Sequence, residues 1–291
     1  MSKKLKAIIL AGGDGTRLMP LTNIVSKQLL TIYDKPMIFY PLSLMIEAKI
    51  NDIAIITKSK DLPFYKRLLG DGSDLGINIT YKIQDRPNGI AESFLICEDF
   101  ILNDNVCLIL GDNLFHGNEI SQSISLKNYG SKIFGCEVID PHRYGVLEIS
   151  SENLPLRIVE KPKKFISSIA ITGLYCYDSE VIALSKSLKP SSRNELEITD
   201  INNLYIDKNN LELCMLSKSD VWMDSGTFDS LNDASNYIKT FQSRQNTLIG
   251  CPEIASFNNG WITQDQIEKL VEENYKNSNL GKKIIEIVSL I

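Results

Sequence analysis

The run Leu10-Ala-Gly-Gly-Asp-Gly-Thr-Arg-Leu18 places three glycines in four positions, with Arg17 inside it and Lys27 following in Ser26-Lys-Gln-Leu-Leu30. Glycines let backbone amides approach a polyphosphate closely, and the two cations can neutralise its charge. Two familiar phosphate loops fail on spacing. A Walker A loop needs Gly-Lys-Ser/Thr after four intervening residues, and a dinucleotide fingerprint started from Gly13 needs glycine where Leu18 stands. Read alone, the stretch favours phosphate binding, with a tight strand turn carrying an exposed arginine and lysine as the lesser alternative.

The elements around this loop are read from hydrophobic period. Lys6–Leu10 is an apolar strand feeding the loop. Pro41–Ala48 has helical period, Ile53–Thr57 reads as a strand, Asp61–Leu69 as a helix, Ile79–Ile83 as a strand, Ile90–Glu98 as a helix and Val106–Leu110 as a strand. That alternation predicts a parallel sheet covered on both faces. Beyond about residue 130 strands crowd together, at Lys132–Val138, Gly145–Ile149, Leu156–Glu160 and Ala170–Tyr177, then Leu211–Leu216. Ser192 and Glu195 have capping-box spacing ahead of a helix over Leu196–Ile206. Thr227 can cap a long helix whose Leu231, Ala234, Ile238 and Phe241 share one face, and Thr263–Glu273 and Lys282–Val288 supply tail helices.

Composition bounds the partners. With 291 residues, 43% hydrophobic and 23% charged, the chain is globular and slightly too long for one core. A formal charge of −5 argues against a nucleic-acid polymer or an anionic membrane as partner, though not against a local basic pocket. Six cysteines without a C-x-x-C pair suit buried thiols in a reducing cytoplasm better than a metal site, and two histidines give no basis for a histidine-rich metal centre. The basic start before Ala7–Leu10 is broken at once by Gly12, Gly13 and Asp14, so the sequence reads as soluble and unprocessed.

The glycine-rich run, Ser26-Lys-Gln-Leu-Leu30 and Asp34-Lys-Pro-Met37 together resemble the sugar-phosphate nucleotidyltransferases. The resemblance continues through Leu69-Gly-Asp-Gly72, Gly111-Asp-Asn113, Arg143-Tyr-Gly-Val146, Glu160-Lys-Pro162, Thr172-Gly-Leu-Tyr175, Glu195-Leu-Glu-Ile-Thr-Asp200 and Trp222-Met-Asp-Ser-Gly226. Many ordered motifs over more than two hundred residues are far more specific than one. The resemblance implies a three-layer α/β/α Rossmann-like fold with a mixed central sheet and a helical C-terminal appendage. Residues 1–245 would form the nucleotidyltransferase domain, nucleotide-binding to about 130 and sugar-phosphate-binding over about 131–245, with 246–291 as the appendage. It further implies thymidylyl transfer from dTTP to α-D-glucose 1-phosphate, Mg²⁺ as cofactor, a first step toward dTDP-rhamnose and related deoxysugars, and a homotetramer.

The same resemblance distributes roles. Leu10, Gly12, Gly13, Gly15 and Thr16 would wrap the nucleotide, Arg17 would hold the leaving pyrophosphate and Lys27 would bridge the phosphates. Asp112 and Asp224 would carry Mg²⁺, a hard cation suited to carboxylates; a lone aspartate after a strand is otherwise a cap or turn residue. Gln84 can both donate to and accept from a pyrimidine imide, with Gly89 admitting the base, although Pro87-Asn88-Gly89 also suits a plain surface turn. Tyr144, Gly145, Glu160, Lys161, Ile171 and Trp222 would line the sugar-phosphate side. Without the resemblance, Tyr144 and Trp222 read as core aromatics and Lys161 as a solvated strand end.

Two departures bear on function. Thr31 stands where a proline is expected. Lys218 and Asn258 lie where relatives tend to carry arginines at a second, regulatory nucleotide site, and neither offers a bidentate guanidinium contact. His116 and Arg244 are further candidates there, and inhibition by dTDP-rhamnose is in doubt. The rival readings are a uridylyl- or thymidylyltransferase for another sugar 1-phosphate and a non-catalytic regulatory protein on the same fold.

Overall fold

The computed structural model describes residues 3–117, 119–125, 130–152 and 154–290. The nucleotide-side half runs β1 (Leu5–Leu10), a short hairpin of β2 (Thr31–Ile32) and β3 (Lys35–Pro36), α1 (Phe39–Glu47), β4 (Asp52–Thr57), α2 (Leu62–Leu69) and β5 (Asn78–Ile83). It continues with α3 (Glu92–Ile96), α4 (Glu98–Ile101), β6 (Asn105–Leu110), β7 (Asn113–His116) and α5 (Ile120–Ser123). The second half comprises β8 (Ser131–Glu137), β9 (Gly145–Ile149), β10 (Pro155–Glu160), β11 (Ile169–Tyr177), α6 (Glu180–Ser187), α7 (Ile198–Asp207), β12 (Leu211–Met215) and β13 (Val221–Asp224). The helices α8 (Phe228–Gln245), α9 (Pro252–Asn258), α10 (Gln264–Asn274) and α11 (Asn279–Val288) complete the chain.

One mixed nine-stranded sheet organises these elements, in the order β10-β9-β11-β6-β1-β4-β5, with β8 on β11 and β12 on β8. β6, β1, β4 and β5 are parallel, whereas β11 runs antiparallel to β6, β8 and β9. The apolar runs of β1, β4 and β6 are buried because alternate residues serve opposite faces. Ala7, Ile9, Ile53, Ile55, Cys107 and Ile109 pack with α1 and the Tyr65 face of α2. Ile8, Ala54, Ile56, Val106 and Leu108 pack on the other side with Phe94, Val181 and Ile201. The result is a three-layer α/β/α arrangement.

The apolar face of α8 is spent within the chain: Ala234 and Ile238 are buried against Ile32, Met37, Tyr40 and Leu114. Thr227 caps this helix through a reciprocal box with Ser230, and Thr263 caps α10 in the same way with Gln266. In the tail, Ile262, Ile267, Ile284 and Val288 make a small core of their own, while Ala255 and Leu270 join the main one.

Several expectations need correction. The proposed capping box at Ser192 does not form: Ser192–Glu195 is a turn, and α7 starts at Ile198. Leu196 is held outside the helix instead, its amide donating to the Asn88 carbonyl at 2.7 Å and its carbonyl accepting from the Ala91 amide at 3.1 Å. The helix read over Ile90–Glu98 is two short helices that meet at Cys97. β7, β13, α6 and α9 were not read from the sequence at all.

Candidate active site

The carboxyl ends of parallel strands converge on one edge of the sheet, where ligands of open α/β sheets are usually held. β1 delivers the glycine-rich loop, β6 delivers Asp112, β4 delivers Lys58 and β5 delivers Gln84. Gly15 has φ +61°, and a Cβ there would stand 2.7 Å from the Thr22 side chain, so the turn demands glycine. Gly12 lies against Gln84, whose Oε1 would be 3.1 Å from an added Cβ.

Asp112 and Asp224 come from segments distant in sequence and are made neighbours by strand pairing. β13 runs antiparallel to β7 with Asp224 opposite Asn113, and the Ser225 amide donates to the Asp112 carbonyl at 2.9 Å. Each carboxylate has a basic partner. Lys27 Nζ donates to Asp112 Oδ2, and Arg143 Nη2 reaches Asp224 Oδ2 at 2.9 Å. Burial alone would raise the Asp112 carboxyl, yet the Lys27 ammonium and the Asn113 amide outweigh it and hold the group below its ordinary range. Asp224 is the opposite case: burial, reinforced by the charge of Asp112, keeps it above the ordinary range despite Arg143, Tyr144 and Arg17. Tyr144 donates to Asp224 Oδ1 at 3.0 Å, and its own hydroxyl is pushed up to about 12 by burial and that carboxylate, so it stays a neutral donor.

These groups open onto a cleft of about 610 Å³. Its lining includes Thr16, Arg17, Asp112, Tyr144, Gly145, Glu160, Lys161, Ile171, Trp222 and Asp224. The Tyr144 and Trp222 rings lie 5.0 Å apart and both line the cleft, with Trp222 also packed against the main core. Glu160 accepts from Thr199 at 2.8 Å and from Arg193 at 3.3 Å, and Lys161 Nζ lies 3.6 Å from it. Leu10, Gly12, Gly13, Gly15, Lys27, Gln84 and Gly89 stand outside that lining. Lys27 joins it through Asp112, whereas Leu10, the glycines and Gln84 sit at the β1 and β5 strand ends beside it. Gly89, at φ +109°, is pressed against the Leu196 backbone, which an added Cβ would meet at 2.3 Å.

The sequence reading passed over Asn113, Arg143, Arg193 and Thr199 as site residues. Asn113 is buried and joins three parts of the site. Its Oδ1 accepts from Trp222 Nε1 at 2.6 Å and from the Gly173 amide at 3.1 Å, while its Nδ2 donates to Asp112 Oδ1 at 3.0 Å. The register of β11 on β8 shifts between Ile171 and Tyr175, and this irregularity brings Thr172 and Gly173 to the cleft. Asn113, Arg143 and Thr199 did carry a signal, because each lies inside a recognised motif.

The four residues considered for a regulatory site are not gathered together. His116 and Asn258 line a second cavity of about 360 Å³, whereas exposed Lys218 and Arg244 are not in its lining. His116 Nδ1 is 2.5 Å from the Tyr237 hydroxyl, its ring packs edge-on against Phe241, and burial draws it below the usual histidine range.

The nucleotidyl transferase family model matches residues 6–240. Curated glucose-1-phosphate thymidylyltransferases are similar over nearly the whole chain. The Neisseria gonorrhoeae protein is 47% identical over 98% of this chain and 99% of its own, and the Neisseria meningitidis protein 46% over 94% and 96%. That of Mycolicibacterium smegmatis is 44% identical over 98% and 99%. Among solved structures, a candidate glucose-1-phosphate thymidylyltransferase from Bacillus anthracis in complex with sucrose has a TM-score of 0.75 and 41% identity, covering 80% of this chain and 95% of that one. A UDP-glucose pyrophosphorylase complexed with UDP-glucose has a TM-score of 0.69 at 24% identity and shares the fold. The chain belongs to the nucleotidyl transferase family and, within it, to the glucose-1-phosphate thymidylyltransferases.

Proposed function

We propose that this enzyme transfers a thymidylyl group from dTTP to α-D-glucose 1-phosphate, giving dTDP-glucose and pyrophosphate. A phosphate oxygen of the sugar phosphate attacks the α-phosphorus. The new P–O bond forms as the bond to the β-phosphate breaks, and pyrophosphate leaves with that electron pair. No enzyme nucleophile is needed, so catalysis is alignment and charge neutralisation. Arg17 faces the leaving pyrophosphate from the glycine-rich loop, and Lys27 spans the phosphates. Glu160 accepts from sugar hydroxyls, and Lys161 meets the sugar phosphate. Gly145 and Ile171 leave room for the ring, which Tyr144 and Trp222 flank.

The observation that carries this reading is the single cleft whose lining brings together the Asp112–Asp224 pair, Arg17, Glu160 and Lys161. The carboxylate pair is a hard oxygen donor set whose mutual repulsion a divalent cation would relieve, so the residues fit Mg²⁺. When bound there, the ion supplies positive charge beside the α-phosphate. Gln84 spends its amide N–H bonds on Glu92 at 2.7 Å and the Gly89 carbonyl at 3.3 Å, leaving Oε1 to accept from a pyrimidine imide beside Gly12. Thymine and uracil share that imide. The methyl that separates them is worth only about 1–3 kcal/mol of discrimination.

A pyrophosphate-release panel crossing nucleoside triphosphates with glucose, N-acetylglucosamine and mannose 1-phosphates, with and without Mg²⁺, tests the reading. Release is expected with dTTP, glucose 1-phosphate and Mg²⁺. Silence in every well overturns the enzyme reading, and preference for UTP or an amino sugar overturns the substrate assignment. We place the enzyme in the cytoplasm, as a homotetramer feeding dTDP-rhamnose and related deoxysugars; light scattering checks its mass. Among the described residues no helix is long and apolar enough to cross a membrane. Inhibition by dTDP-rhamnose is weak in this reading, because among the described residues no lysine or arginine lines the cavity of His116 and Asn258; strong inhibition in a titration would contradict it.

A further inference from the structure

A loop that binds a polyanion has an electrostatic reason to carry no anion, yet Asp14 lies between Gly13 and Gly15. The role given to this loop above leaves that carboxylate unexplained. In the structure it forms an ion pair with Lys58 Nζ, which comes from the residue directly after β4. The Asp14 side chain is 46% exposed, whereas that of Lys58 is only 11% exposed, its stem packed into the strand end. The neighbouring residue pins that end: the Ser59 amide and hydroxyl donate to Asp85 at 2.8 and 2.6 Å. On the loop side, nothing lies within 4 Å of where a Cβ on Gly13 would stand, so the backbone one residue from Asp14 is open to a phosphate.

We propose that Lys58 is a positioning residue for the nucleoside triphosphate: it holds the Asp14 carboxylate and cancels its charge, so that the polyphosphate can settle on the open backbone at Gly13. The inference rests on the reading of the glycine-rich loop as the triphosphate cradle. Without Lys58, an uncompensated carboxylate faces three or four negative charges at short range. Its cost falls on nucleotide binding and is screened by salt.

The test is a two-site cycle read by steady-state kinetics, by direct titration with triphosphate and by thermal melting. Lys58→Met, which keeps the stem, is expected to raise KM for the triphosphate on the order of tenfold at low salt. Its kcat and KM for the sugar phosphate should stay within about twofold, and the nucleotide defect should shrink as salt rises. Asp14→Asn in the Lys58→Met background is expected to restore nucleotide KM. Asp14→Asn alone is expected to lower it, because the freed ammonium then faces the polyphosphate. A double variant no better than Lys58→Met overturns the proposal, since Lys58 would then act on the substrate itself. So does an Asp14→Asn variant that raises KM, or that melts well below the wild type together with Lys58→Met, since the pair would then be a structural pin. Wild-type protein that binds no triphosphate overturns both this proposal and the functional reading; wild-type binding with Lys58→Met unchanged overturns this proposal alone.

Discussion

Asn113→Ala removes one buried side chain that touches three parts of the site. The Gly173 amide is buried and would lose its acceptor outright, at a cost of about 1–3 kcal/mol. Trp222 Nε1 would also lose its acceptor, but the indole is only partly buried and can find water, so its share sits at the low end. Together these give about 2–4 kcal/mol, and for a chain of this size a fall in Tm of roughly 5–10 °C. The third bond, to Asp112, affects activity more than stability, because Lys27 still holds the other oxygen. Loss of such a supporting contact should lower kcat or metal affinity about 10–100-fold. Asn113→Asp isolates the third bond: it keeps both acceptor bonds but sets a buried carboxylate oxygen where Nδ2 donates to Asp112, so like-charge repulsion should keep its melt low at neutral pH. The assay is a thermal melt paired with pyrophosphate release across a Mg²⁺ titration. An Asn113→Ala enzyme that melts with the wild type and keeps its Mg²⁺ dependence would refute the reasoning.

Lys27→Ala should lower kcat by about two to three orders of magnitude, the scale for removing a preorganised charge at a reacting centre; single-turnover pyrophosphate release checks it. Glu197→Gln should destabilise the protein at neutral pH. Burial acts to raise Glu197, but the hydrogen bonds from Arg193 and Ser191 outweigh it and hold it below the ordinary range. A depressed folded pKa contributes stability above the unfolded value that is lost as pH falls through the folded one. The gap between wild type and Glu197→Gln in denaturant titrations should therefore narrow in acid; a gap that widens would contradict the sign. Gly89→Ala should cost about 3 kcal/mol, because φ +109° and the Leu196 backbone both exclude a Cβ. A wild-type melt would show that the Leu196 segment yields.

The parallel half of the sheet was legible because β1, β4 and β6 are buried on both faces, and burial writes itself as unbroken apolar runs. β7 and β13 were not legible. They are four residues each, and their polar and aromatic side chains carry no clean period: Asn113, Trp222 and Asp224 face the cleft, and His116 faces the second cavity. Their pairing brings Asp224 opposite Asn113, so the contact that joins the two acidic motifs was hidden although each motif was readable. The false capping box at Ser192 had the right local chemistry, but Leu196 is held in a backbone contact with residues 88–91, and tertiary hydrogen bonds outweighed the local signal. Asn113 and Arg143 were missed as site residues for a similar reason: a neutral amide and a lone arginine acquire a role only through partners on other elements.

Whole-chain charge proved a poor guide to the site because most of its ions are paired before any substrate arrives. Lys27 is held by Asp112, Arg143 by Asp224, Arg193 by Glu160, Glu195 and Glu197, and Lys58 by Asp14. Pairing of this kind lets cations stand in a half-buried cleft without paying full desolvation, and it places each cation beside the group it must leave or keep when phosphates enter. In the proposed reading, two anionic substrates are accommodated by exchange of partners at these pairs, together with Arg17, rather than by a large surplus of positive charge. The electrostatic work of such a site is thus set by which pairs open and which stay closed, a property of strand register and loop position that a net charge of −5 does not express.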